Sequence, residues 1–321
     1  MKTFYWLLKR EFWEHRGGFL WAPVITGGIY LLFFLIGLVW ALGMARHGFS
    51  MDGNEMGDMF AQAAAGHSQH VGEVLDGFIA FSVMLVLIVC GFVVLFYCLG
   101  ALYDDRRDRS VLFWKSLPLS NASTVLSKVV SAGVIAPVIA LVVGLLTALV
   151  QLVILLIAMA IHGVNPWQVL MQTHLLRMTV TAVSLIPLSA LWALPSIGWL
   201  LLCSAWARSK PFLWAILIPA IANVLVWWFS VVGLFSTHFA AGWSRVLARL
   251  LGSVFPNSFL YWGEPDLHFD AMTNGGRLAD SSQLIGNAYH LLASPSLWIG
   301  VLGGTVLVAG AVWLRRVRDD S

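Results

Sequence analysis

The residues of this chain that could do chemistry are few, and most fall in one stretch. Tyr103-Asp104-Asp105-Arg106-Arg107-Asp108-Arg109 carries six charges of both signs, and Val111-Leu112-Phe113-Trp114 follows almost at once, ahead of Lys115-Ser116-Leu117-Pro118. Proline biases the residue before it away from helix, so the pattern predicts a short charged helix ending in an apolar, aromatic cluster. Such a cluster facing water is costly and usually has a partner, either a protein or lipid headgroups. The plainer alternative is a basic loop whose aromatics rest on a bilayer. A second constellation is His67, His70 and Glu73, spaced by three on a predicted helix with Met51, Met56 and Met59 nearby. Ligands on one helical face could hold a soft metal. That spacing is common by chance and no Cys/His cluster accompanies it, so a solvated or interfacial helix is the preferred reading. No G-x-x-x-x-G-K-[ST] phosphate loop and no H-E-x-x-H motif occurs, and Tyr103-Asp104 has no Gly-x-Gly-Asp partner. The chain is therefore not expected to be an enzyme by itself.

These residues sit within a chain whose composition is that of a membrane protein. Of 321 residues, 59% are hydrophobic and 11% charged, against roughly 45–50% and 25% for an average globular chain. The mean hydropathy is +0.83, and the excess is gathered into runs of twenty or more residues. That distribution points to lipid as the main solvent and sets aside disorder, collagen-like structure and nucleic-acid binding. Apolar windows predict an all-α fold of six spans, at about 19–44, 77–102, 129–161, 175–207, 211–235 and 295–314. The third run exceeds what a bilayer needs and should tilt, protrude or bend near Pro137. Pro187 and Pro195 should kink the fourth. The 237–294 segment is long and mixed, a candidate cap or re-entrant structure. Cys90, Cys98 and Cys203 all lie in apolar runs, an odd number that offers no disulfide framework.

Segments rich in lysine and arginine tend to stay cytoplasmic. With the N-terminus inside, fourteen of the nineteen cationic residues fall on that side, including Lys128, Arg208, Lys210, Arg315 and Arg316. Both termini are therefore expected in the cytoplasm, and eight of the nine histidines outside. Residues 2–16 repeat apolar side chains at Phe4, Leu8 and Phe12 beside Lys2, Lys9, Arg10 and Arg16, the pattern of a helix lying on the inner leaflet. No Asp or Glu falls inside any expected span, which weakens ion-coupled transport.

At 103–128 the chain resembles the membrane subunit of a type-2 ATP-binding-cassette exporter. The matching features are the charged run Asp104 to Arg109, the apolar segment Ser110 to Ser116, Leu117-Pro118 and then Lys128. The basic N-terminal "elbow" helix, the six spans and the short inner loop Ala205 to Lys210 extend the likeness across the chain as architecture. The resemblance implies a single permease domain in a bacterial inner membrane, with 103–128 as a coupling helix seated on a separate ATPase subunit. That subunit would bring ATP and Mg, and a second copy of the permease would complete the path. It further implies ATPase contact by Asp105, Arg106, Arg107, Arg109, Phe113 and Trp114, with Arg208 secondary. A non-transporting membrane scaffold and a secondary transporter are the competing classes. Gly300 and Gly304 form G-x-x-x-G in the last expected span, which permits close helix approach within the chain or between copies.

Overall fold

The computed structural model describes residues 2–46, 68–107, 120–163, 165–171, 173–262 and 281–318. Among them there is no strand. The helices are α1 (Lys2–Glu14), α2 (Ala22–Arg46), α3 (Ser68–Ala101), α4 (Tyr103–Arg107), α5 (Asn121–Val130), α6 (Ala136–Ile161), α7 (Pro166–Leu170), α8 (Leu175–Ser184), α9 (Ile186–Trp206), α10 (Pro211–Val231), α11 (Thr237–Gly252), α12 (Phe259–Trp262), α13 (Ser281–His290) and α14 (Pro295–Arg318). Among the described residues six stretches are long and apolar enough to cross a membrane: Gly17–Gly43, Val74–Arg107, Asn121–Ile161, Ile186–Trp206, Pro211–Val231 and Pro295–Val317. This is the make-up of a multi-pass membrane protein, in which each span must satisfy its own backbone because lipid offers no hydrogen bonds. The six spans place α1 and the end of α14 on one side, called here the near face.

Prolines explain the irregularities within the spans. The third span is α5 and α6 joined by a π turn at Ser131–Ile135, where the N–H of Ala136 reaches back to Ser131 O, just ahead of Pro137. The first span repeats the device at Gly17–Trp21, with Ala22 N–H on Gly17 O ahead of Pro23. A proline ring would clash with the carbonyl four residues back, and one turn of wider helix relieves the crowding. The irregularity at Pro137 is thus a single π turn within the third run. The run 175–207, expected as one kinked span, is instead two helices. α8 stops at Leu185, two residues before Pro187, and only α9 has spanning length, with Pro195 in its interior.

The main core joins α3, the third span, α9 and α14 through Val86, Cys90, Val94, Cys98, Ala132, Ala140, Ile197, Leu201 and Ala311. Small residues let the backbones approach. α9 and α14 meet most closely: a Cβ on Gly198 would lie 2.7 Å from Gly304 O, and one on Gly304 would lie 2.6 Å from the Leu194 carbonyl carbon. The G-x-x-x-G pair is therefore spent inside the chain, with Gly304 against α9 and Gly300 against the Arg249 side chain, while Gly303 faces open space. α10 is held at its near end by Trp199 Nε1–H donating to Ala215 O at 3.1 Å and by ring contacts of Phe212 and Trp214.

The described part of 237–294 turns back between the spans. Ser236 caps α11 by accepting from Phe239 N–H. At the other end Ser196 Oγ–H is shared by the carbonyls of Arg249 (3.0 Å) and Leu250 (2.7 Å) and lies 2.8 Å from Ser253 Oγ. These are last-turn carbonyls, of which Arg249 O also accepts from Ser253 N–H at 3.0 Å. Ser196 is ten residues from either end of α9, so the apex reaches about 15 Å into the layer of spans. Phe255 packs there on Phe92, in space that Gly91 leaves open, and Ser189 Oγ–H donates to Asn257 Oδ1 at 2.8 Å. Irregular backbone at such depth is tolerated where protein buries it, and Val254, Ser253 and Ser258 are all buried.

Candidate functional site

The near-face ends of the spans enclose a cluster of charges. α1 has a buried side that includes Leu7 and Glu11, while Tyr5, Trp6 and Trp13 remain outside. Lys9 and Arg16 lie over the Trp6 and Trp13 rings. The first turn of α5 is fixed by Ser120, which accepts from Ser123 N–H at 3.1 Å, and the helix turns Thr124, Val125, Ser127 and Lys128 inward. Glu11 and Lys128 thus meet on the inner sides of two helices, their side chains 0% and 1% exposed.

Lys128 Nζ lies 3.2 Å from Glu11 Oε1 and 3.4 Å from Asp105 Oδ2. Glu11 also accepts from Tyr97 O–H at 2.8 Å and pairs with Arg10 at 3.1 Å. Asp105 faces Arg315 at 3.9 Å, and Arg10 pairs with Glu14 at 3.2 Å. Three carboxylates therefore meet three cations drawn from α1, α4, α5 and α14. Burial alone would raise the Glu11 carboxyl, but Lys128, the Tyr97 hydroxyl and Arg10 together hold it below its ordinary 4.5. Among the described residues Glu11, Glu14 and His15 also approach as a possible metal group. Their carboxylates are already committed to Lys128 and Arg10, and His15 Nδ1 lies 3.2 Å from the backbone carbonyl of Glu11.

A second junction ties the end of the second span to α9. The helix breaks at Leu102, and the N–H groups of Leu102 and Tyr103 donate to Ser204 Oγ at 3.1 and 2.9 Å. Arg106 reaches across to the final carbonyls of α9, donating to Ser204 O at 2.6 Å and Ala207 O at 3.0 Å. A guanidinium suits that place, because the C-terminus of a helix carries partial negative charge and unpaired acceptors.

Two of the sequence-selected site residues, Asp105 and Arg106, are thus engaged within the chain, and Arg107 and Arg208 are exposed on the same face. Arg109, Phe113 and Trp114 lie outside the described residues. So does His67; the backbone of His70 and Glu73 belongs to α3, and their side chains are likewise outside. Lys128 and Arg315, expected on the cytoplasmic side, are buried: α5 turns Lys128 inward, and α14 continues through Arg315 as helix to Arg318. The expected second span, 77–102, holds no acid, but the observed stretch Val74–Arg107 is longer at both ends and takes in Asp76, Asp104 and Asp105. Asp76, in the first turn of the Val74–Arg107 span, is 5% exposed and accepts from His174 N–H at 3.0 Å and lies 2.9 Å from its ring Nδ1.

No family model, curated protein or solved structure matches this chain. The site must speak through its geometry. Among the described residues the clustered charges are turned on one another. What the arrangement can do is mechanical: it locks α1 and the near-face ends of three spans into one charged unit, beside the 103–128 connection.

Proposed function

We propose that this chain is the membrane subunit of an ATP-driven exporter of the type-2 cassette kind, powered by a separate ATPase subunit seated on the 103–128 connection. The observation that carries the reading is Lys128, a cation 1% exposed that bridges Glu11 of α1 and Asp105 of α4. A partner pressing on the loop between spans two and three would act directly on this unit. The push would pass to the N-terminal helix through Glu11, to the last span through Arg315 and to α9 through Arg106. Closure of two ATPase subunits would then bias the spans between two arrangements, which requires only that the partner prefer one of them. Arg107 and Arg208 are the exposed charges available for that contact, with Arg109, Phe113 and Trp114 completing it. In this reading ATP and Mg belong to the partner, both termini are cytoplasmic, and a second permease copy completes the path.

The test is to extract the tagged full chain from its native membrane in mild detergent and identify what accompanies it. A near-stoichiometric ATPase, lost when Phe113 and Trp114 are replaced by alanine, is the expected result; Arg107→Glu should uncouple hydrolysis from transport while the spans stay folded. A homogeneous membrane protein with no nucleotide-binding companion would sink the reading and bring the scaffold and secondary-transporter classes forward.

A further inference from the structure

Arg249, on α11, is placed where arginine is expensive. Its guanidinium carbon lies 3.8 Å from the centre of the Trp192 ring, Nη1–H donates to Ser296 O at 2.6 Å, and Nη2–H donates to Leu297 O at 3.4 Å. Gly300 makes room for it, since a Cβ there would run into the guanidinium. Among the described residues no carboxylate pairs with Arg249, and its buried Nε–H has no acceptor. Trp192, 2% exposed, likewise leaves its Nε1–H without one. A charge and two unsatisfied donors therefore meet at one contact. Buried donors without acceptors are rare and call for an explanation, and a charge at membrane depth is a functional candidate by default.

The depth places this contact near the far membrane face. Trp192 is six residues from the far end of α9, and Ser296 and Leu297 open α14, so the guanidinium sits about 5–10 Å in from the far ends of these spans. Arg245, one turn outward on α11, is exposed and adds a second positive charge toward that surface. We infer that Arg249 and Trp192 form a receptor for a phosphate-type oxyanion at the far membrane face, supplied by a phospholipid headgroup or by a free phosphate. With both Nη atoms committed to carbonyls, the oxyanion would be held by the Nε–H edge of the guanidinium and by the indole N–H, the two donors left without acceptors. The inference stands whether the chain exports cargo or only scaffolds other subunits.

The full-length protein in detergent should be titrated with dioleoylphosphatidylglycerol, with dioleoylglycerol as the phosphate-free control, and binding read by native mass spectrometry. The wild type should retain the phospholipid far more tightly than the control, and Arg249→Gln should weaken that retention about tenfold or more, the value of one charge-assisted hydrogen bond. Competition by millimolar inorganic phosphate would show that the free oxyanion suffices, and lack of competition would assign the site to the lipid headgroup. Equal phospholipid retention by wild type and a folded Arg249→Gln overturns the proposal. Should Arg249→Gln fail to fold, the wild type with a headgroup-photoreactive phosphatidylglycerol decides: cross-links within 245–249 or 292–300 support the site, and cross-links only elsewhere refute it.

Discussion

Lys128→Met isolates the charged unit from everything around it. Methionine approximates the lysine stem, so the substitution removes the ammonium and leaves little cavity. In the wild type the Nζ lies within 3.2–3.4 Å of both Glu11 and Asp105, and Glu11 is 0% exposed. At an effective dielectric of about 20, each such contact is worth roughly 5 kcal/mol gross, most of it offset by desolvation. Removing one partner keeps the desolvation and discards the attraction. The expected loss is then about 3–5 kcal/mol, and it should fall on the docking of α1, since α1 can leave and hydrate Glu11 whereas α4 is tied to α9 by Arg106. Local opening of α1 should rise roughly 10²- to 10⁴-fold, read as faster amide hydrogen exchange at residues 7–14 in detergent, with the exchange of α9 unchanged. Adding Glu11→Gln should recover at least half the loss, because the double variant no longer buries an unpaired charge. If Lys128→Met accelerated exchange less than about fivefold, the unit would not hold the helix and the coupling argument built on it would fall.

Acid should do to the wild type what Lys128→Met does at neutral pH. A carboxylate held below its free value stabilises the docked helix above that value and loses the contribution as pH falls through the docked one. Exchange at residues 7–14 should therefore quicken below about pH 4.5 and be flat across that window in Glu11→Gln. Gly304→Val should lower the melting temperature of the purified protein and push α9 from α14, because the new Cβ would lie 2.6 Å from the Leu194 carbonyl carbon. Gly303→Val, where nothing lies within 4 Å, should leave melting unchanged. Similar melting of the two variants would refute the close α9–α14 packing.

The spans were legible because their signal is local. A run of apolar residues in lipid has no alternative to helix, and prolines at 23, 137 and 187 mark the irregular turns and the break that follow from their missing N–H. Where the fourth run divides was less so: Pro187 and Pro195 look alike in sequence, yet one lies just past a helix end and the other inside a helix packed on Gly304. Packing against a distant segment decided between them.

The charged unit was harder to see, since Lys128 meets Glu11 across 117 positions and Tyr97 meets Glu11 across 86. A count of positive charges by side treats Lys128 and Arg315 as signposts of topology and says nothing about their burial. A signal was nevertheless present. Glu11 stands within the stripe of Phe4, Leu8 and Phe12 on a helix otherwise rich in cations, and Lys128 stands between Val125 and Val129 on the inner side of α5. One acid on the apolar side of one helix and one base on the apolar side of another cannot both be buried alone, because an isolated buried charge costs more than either helix gains by docking. Each must find an opposite charge, and the first described residues and the base of the third span supply one another's. The same reasoning run in reverse sets Arg249 apart: it is half-buried, with its guanidinium on the buried Trp192 ring, and its opposite charge is missing from the described residues around it.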